Sequence, residues 1–333
     1  MDTNTAMETI GASAKAATKF GEIIEKIFGP RWTCKQADAD AYADQKKLQT
    51  IRENPDMEIV YVDGKLNARQ CTQDALAFRA EQRMLTEAIR QEANIEKVLE
   101  VTAKELLTEE NVSDEPVDED WITRFFNIVK DINSEEMQYV WGQILAGEII
   151  APKSFSLKTL DALRNIGVAE AQAFQRLIPL IFNYNDIVFV SSENEILMKY
   201  GSSFSDILLL DECGLVNSSG TLSLNFKVTK NNSEFILTDE FLIAFNGDSD
   251  DDVKVRVGIH TLTKAGRELY SVLAHSTNIE YVKEVALHIF DQNQKIEKVA
   301  VHKLRSLTTT AEGSHFTYEK ETEVFYDRVS NVK

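Results

Sequence analysis

The sequence predicts an α+β protein: mainly helical N-terminal and central regions with a long scaffold helix, then a mixed α/β, winged-helix-like C-terminal domain. Three observations carry this. Apolar residues recur every three or four positions as far as about residue 182. From Asn67 to Leu107 there is neither Gly nor Pro. After Asn183 the pattern changes to short alternating runs separated by Gly-, Asn- and Ser-rich stretches. The expected organisation is a helical N-terminal region over 1–108 containing the long helix 67–107, an acidic linker over 109–120, a central helical domain over 119–182, and an α+β domain over 183–333.

In "KAATKFGEIIEKIFGP", Phe20, Ile23, Ile24, Ile27 and Phe28 form one apolar stripe, and Gly29-Pro30 ends the helix. Such a stripe docks on the rest of the chain or, over residues 15–28, meets a membrane surface or a partner. The alanine-rich run from about Thr33 to Arg52 predicts a second helix, broken at Asn54-Pro55. "MEIVYVDGKL" reads as extended chain turning at Asp63-Gly64. In the long helix Leu85, Ala88, Ile95, Leu99 and Leu106 fall on an imperfect heptad seam. A helix of that length, roughly 60 Å, needs a neighbour along it. "EENVSDEPVDED", Glu109 to Asp120, holds seven acids and no base, and suits a solvated linker whose end caps the next helix.

Trp121, Ile122, Phe125, Phe126, Val129 and Ile132 make one helical face, and Met137, Val140, Trp141, Ile144, Leu145 and Ile149 a second, with Asn133 or Ser134 capping between them. Burying such side chains contributes about 1.5–3 kcal/mol each, so the aromatics are expected in a core. "PKSFSLKTLDALRNIGVAEAQAFQRLIPLIF" adds two short helices divided at Gly167. Beyond it "DIVFV", "EILMKY", "TLSLNFKV", "SEFILTDEFLIAF", "DVKVRVGIHTL" and the final segment read as strands. "FSDILLLDECGLV", capped by Ser205 and ended by Gly214, "KAGRELY", capped by Thr263, and "IEYVKEVALHIF" read as helices.

The chain has 333 residues with 36 Lys plus Arg against 54 Asp plus Glu, a net charge of −18. That balance disfavours non-specific nucleic-acid binding. The helix "SFSDILLLDECG", with three acids and no base, is equally unsuited to a DNA groove despite its winged-helix-like setting. Cys34, Cys71 and Cys213 are isolated thiols, consistent with a reducing cytoplasm. No apolar run reaches about 18 residues, and the N-terminus does not read as a secretory signal.

Phosphate-binding, nucleophile-elbow and zincin motifs are absent from the sequence. The five histidines, His260, His275, His288, His302 and His315, have no metal-ligand spacing. "NGDSDDD" has neither the central glycine nor the later glutamate of a calcium loop at the proper offset. Weak catalytic candidates are Asp56, Asp63 and Lys65, whose order resembles that of metal-dependent nucleases. Asp56 and Asp63 are too close in sequence for a useful hairpin between them. No cofactor is expected.

The segment from "RQEANIEKVLEVTAKEL" through "VDEDWITRFFNIVKDINSEEMQYVWGQILAGEI" to "PKSFSLKTLDALRNIGVAEAQAF" resembles a bacterial family known as domain of unknown function 2806. Asn94-Ile95-Glu96, Asp120-Trp121, Glu136-Met137, Trp141, Leu145-Ala146-Gly147-Glu148, Pro152 and Ser156-Leu157 carry the resemblance, and "LTKAGRELY" is similar too. The resemblance brings no catalytic residues. It implies a setting in bacterial abortive infection or phage defence by association alone.

The expectation is therefore a non-enzymatic cytoplasmic interaction or regulatory protein, forming a homo-oligomer or holding a protein partner. Its candidate contact residues are Phe20, Ile23, Ile27, Phe28, Leu85, Ile95, Leu99 and Leu106. The alternatives are a metal-dependent hydrolase or nuclease, and a peripheral membrane effector using the N-terminal helix.

Overall fold

A computed structural model describes residues 14–28, 61–62, 65–66, 73–107, 109, 112–220, 222–273, 276–310 and 313–328. The chain divides into two compact units, Met1–Phe155 and Ser156–Lys333. The division falls inside the 119–182 stretch that the sequence reads as one helical region.

In the first unit, α1 (Ala14–Phe28) precedes a minimal antiparallel pair, β1 (Tyr61–Val62) and β2 (Lys65–Leu66). The long helix α2 runs from Gln73 to Leu106, 34 residues and about 51 Å. It is followed by α3 (Glu119–Val129) and α4 (Glu135–Ile150). The second helix expected over 33–52 lies outside the described residues. Asp118 accepts from Trp121 N to cap α3. Ser134, not Asn133, caps α4 by accepting from Met137 N.

The aromatic stripes seal the interior of this unit. Trp121 stacks on Phe125 at 5.1 Å, and Phe125 meets Trp141 edge-on at 5.5 Å. Trp121 is 3% exposed and Trp141 is fully buried. The Trp121 indole donates to Phe155 O at 2.9 Å. The Trp141 indole nitrogen is buried without a hydrogen-bond partner among the described residues, so its place there is decided by packing.

In the second unit, α5 (Leu157–Leu163) and α6 (Val168–Leu177) precede an antiparallel nine-stranded sheet. Its strands are β3 (Phe182–Tyr184), β4 (Ile187–Ser191), β5 (Val216–Asn217), β6 (Ser223–Val228), β7 (Glu234–Leu237), β8 (Phe241–Gly247), β9 (Val253–Leu262), β10 (Ile296–Thr310) and β11 (Gly313–Asp327). The spatial order is β11-β10-β8-β7-β3-β4-β9-β5, with β6 also paired to β9. Alternation is plain in β9: Val253, Val255 and Val257 are buried while Lys254 and Arg256 are exposed. β10 pairs with β8 only over Ile296–Lys303, and its remainder continues with β11 as a two-stranded ribbon.

Four helices accompany the sheet: α7 (Asn194–Lys199), α8 (Phe204–Glu212), α9 (Lys264–Tyr270) and α10 (Ile279–Gln292). Tyr281 of α10 stacks on Phe182 at 5.4 Å, and Phe182 stacks on Phe189 of the neighbouring strand at 5.8 Å. Two sequence readings are corrected. "EILMKY" is helix α7, not a strand, because Ile196 and Leu197 bury while Glu195, Met198 and Lys199 face solvent. The cap of α8 is Ser203, not Ser205: Ser203 accepts from Asp206 N, and Asp206 accepts from Ser203 N in return. Gly214 ends that turn with φ +76°, as expected of a left-handed C-cap.

Candidate functional site

The residues that carry the sequence resemblance are placed first, because they could have formed a site. Asn94 of α2 donates to Lys130 O at 2.9 Å and to Asn133 Oδ1 at 3.2 Å. Gln138 donates to Asn94 Oδ1 at 3.1 Å and to Ile132 O at 2.8 Å. Both side chains are buried, so the cluster fixes the α3–α4 turn on the long helix by satisfying buried main-chain acceptors. Glu148 is 1% exposed. Its carboxylate accepts from Lys153 N at 2.6 Å and Phe155 N at 2.9 Å, tying down the turn after α4. In "LTKAGRELY", Thr263 caps α9 by accepting from Gly266 N. A side chain at Gly266 would stand 2.1 Å from Leu215 O. These residues hold elements together; no open cavity gathers them.

The predicted catalytic candidates fall elsewhere. Asp56 and Asp63 lie outside the described residues. Lys65 sits in β2, where its backbone pairs with Val62. Among the described residues no group of three His, Cys, Asp or Glu side chains could hold a metal ion.

Of the contact candidates, Phe20 and Ile23 are buried and Ile27 is half-buried; Ile24 of the same stripe is also buried. α1 packs on α2 and α4, and the Lys19 ammonium, 9% exposed, donates to Ile149 O at 3.3 Å. Burial chiefly, with Lys15 adding to it, holds the Lys19 pKa below the usual lysine value. The apolar face of α1 is thus covered by the chain itself, and a membrane could reach it only if the helix left its seat. The side chain of Phe28 lies outside the described residues. Ile95, Leu99 and Leu106 are buried, and Leu85 is half-buried. No helix among the described residues is long and apolar enough to cross a membrane.

A concave polar site exists in the second unit. A cleft of about 400 Å³ opens between the end of β4, the middle of β9 and one side of α10. Ser191, Glu193, Arg256, Gly258, His288 and Gln292 are among its lining residues. His288 Nε2 lies 3.4 Å from Glu193 Oε1. Arg256 Nε donates to Ser223 Oγ at 3.0 Å, which fixes one edge of the guanidinium. Ser191 Oγ accepts from Glu193 N at 3.2 Å, setting the turn that carries the carboxylate. None of these residues was singled out from sequence as functional. His288 sits 95 positions from Glu193, at no motif spacing, and only the sheet and helix packing bring them together.

The architecture defines a two-unit α+β protein: a helical assembly built around one long helix, and an antiparallel sheet with helices. The chain belongs to the family described as protein of unknown function (DUF2806), whose model matches residues 78–286. The match takes in the helical segment that carries the resemblance and runs on through strands β3 to β9 into α10, ending before β10 and β11. No curated protein and no solved structure matches the chain.

Proposed function

We propose that this protein is a non-enzymatic assembly or regulatory protein that self-associates through the outer half of its long helix. The supporting observation is a row of residues on α2. Along one face, at steps of three or four, lie Ala77, Ala80, Met84, Ala88, Gln91, Ile95, Val98 and Thr102. Ile95, Val98 and Thr102 are buried where α2 packs on α4. Beyond the α3–α4 turn the same row is uncovered: Met84 is 67% exposed, and Ala77 and Ala88 are exposed.

Charge selects the occupant. Residues 77–92 hold three Arg and three Glu, so this segment is neutral in a chain of net charge −18. A second copy, repelled over most of its surface, meets no net repulsion here. Laid antiparallel about a twofold axis, Arg83 of each copy faces Glu87 of the other, with the Met84 side chains covered between them.

Light scattering on size-fractionated protein tests this. The full chain is expected to dimerise or assemble further, Met84→Asp and Arg83→Glu to shift it toward monomer, and the double change Arg83→Glu with Glu87→Arg to restore association. A strict monomer at the highest concentration reached sinks the reading. We place this role in the bacterial cytoplasm and in phage defence on the family resemblance; plaquing efficiency on a host expressing the protein or its Met84→Asp variant tests that setting.

A further inference from the structure

The cleft beside α10 differs in charge from the chain around it. Its lining includes the Arg256 cation, the His288 ring and a single carboxylate, Glu193, which the His288 ring already engages at 3.4 Å. The Arg256 guanidinium is held by one edge on Ser223 Oγ, leaving its terminal nitrogens with no partner among the described residues. A planar cation fixed by one edge presents the other in the geometry that a phosphate or carboxylate accepts.

The floor is of a different kind. Val257, Val285 and Ile289 line it and are 7%, 4% and 1% exposed. Gly258 forms part of the wall, and a side chain there would strike Ser192 Oγ at 2.3 Å. Glycine at this position lets Ser192 lie against the strand beside the cleft. Gln292 and Asn293 add amides at the rim. The buried valine and isoleucine side chains back the cleft, while the surface it opens to solvent is mostly polar, and about 400 Å³ lies in the usual range of small-molecule sites.

We propose that this cleft binds a small organic anion: one phosphate or carboxylate group on a compact body no larger than a mononucleotide. Arg256 takes the anionic group, the body lies along the polar wall toward Gln292, and the Glu193–His288 pair bounds one side. The site lies wholly in the second unit, so it stands independently of the self-association proposed for α2.

Isothermal titration of the full chain with adenosine monophosphate, phenyl phosphate and benzoate tests this, with adenosine and inorganic phosphate as probes of each half alone. At least one of the three organic anions is expected to bind saturably at one site per chain. The matching half-probe is expected to bind at least tenfold more weakly. Arg256→Gln, an exposed change whose folding is checked by circular dichroism, is expected to weaken the anion about tenfold, which is about 1.4 kcal/mol. The proposal is overturned if none of the three anions binds up to about 10 mM, a range that reaches beyond a 4 kcal/mol interaction. It is equally overturned if binding persists unchanged in Arg256→Gln.

Discussion

Thr102 Oγ1 lies 3.1 Å from the main-chain oxygen of Gly142, and a contact this close between α2 and α4 exists because residue 142 has no side chain. A Cβ there would sit 2.5 Å from both Cβ and Cγ1 of Val101 and 3.1 Å from Val98 O. The Thr102 hydroxyl is also 2.9 Å from Val98 O, within its own helix, so it bridges the two helices from a fully buried position. Gly142→Val is expected to destabilise the first unit by about 1–3 kcal/mol through overpacking. Thr102→Val, which removes only the hydroxyl, should cost about 1 kcal/mol. Urea unfolding of the two variants checks the order; a Gly142→Val protein as stable as the parent would mean the helices do not approach this closely.

Glu148 gives a second prediction. Its two carboxylate oxygens serve the main-chain N–H groups of Lys153 and Phe155 from a buried position. Glu148→Ala leaves those donors without the carboxylate and opens a small void. It is expected to cost about 3 kcal/mol, taking hydrogen bonds to a charged group at about 1.5–3 kcal/mol each and assuming incomplete loss. Glu148→Gln keeps one acceptor and should cost less. Limited proteolysis is expected to cut Glu148→Ala between residues 151 and 155 faster than the parent, and equal cutting would argue that the turn does not depend on this carboxylate.

These two sites mark how far the sequence could be read. Helix positions in the first unit were legible because burial follows the 3.6-residue period: Trp121, Phe125, Trp141 and Ile144 all lie inside as the stripes require. The sheet was legible where alternation was regular, as in β9, and was misread at Glu195–Tyr200, where a short apolar run fits a strand and a helix equally well. The reason for Glu148 was not legible, since a buried carboxylate and a solvated one share the same local pattern. The cleft was not legible either: Glu193, Arg256 and His288 come from three segments whose convergence depends on strand order, which composition does not encode.

Asp206 makes acid sensitivity measurable in the second unit. Burial alone would raise its pKa, but hydrogen bonds from the Arg176 guanidinium, at 2.5 Å, and from Ser203 outweigh that and hold it below the usual aspartate value. A carboxyl depressed on folding contributes stability above its unfolded pKa, and that contribution is lost as pH falls through the folded pKa. Asp206→Asn is therefore expected to destabilise most at neutral pH, with the gap to the parent closing below about pH 4. Thermal unfolding at a series of pH values checks this, and a gap independent of pH would show that the charge is not what matters.

His260 tests the opposite chemistry, a base kept from its proton. The ring is 4% exposed in β9, and neither nitrogen has a hydrogen-bond partner among the described residues. Burial lowers its pKa, and the more distant Asp211 charge offsets this only in part. The unfolded chain therefore takes up a proton at this residue near pH 6.5, the ordinary histidine value, before the folded chain does. Where the unfolded state binds more protons, stability falls as pH falls. The His260 contribution is thus constant above about pH 6.5, declines as pH drops below it, and levels off once the folded-state pKa is passed. His260→Met replaces an unpaired polar ring with an apolar side chain that adapts to irregular space. It is expected to match or exceed the parent in stability at pH 7, because two unsatisfied nitrogens leave the interior, and to hold that stability better between pH 6.5 and 5. Parallel denaturant titrations at pH 7 and pH 5 decide the matter: a variant that loses as much stability as the parent over that interval would show that His260 is not the group that takes up the proton.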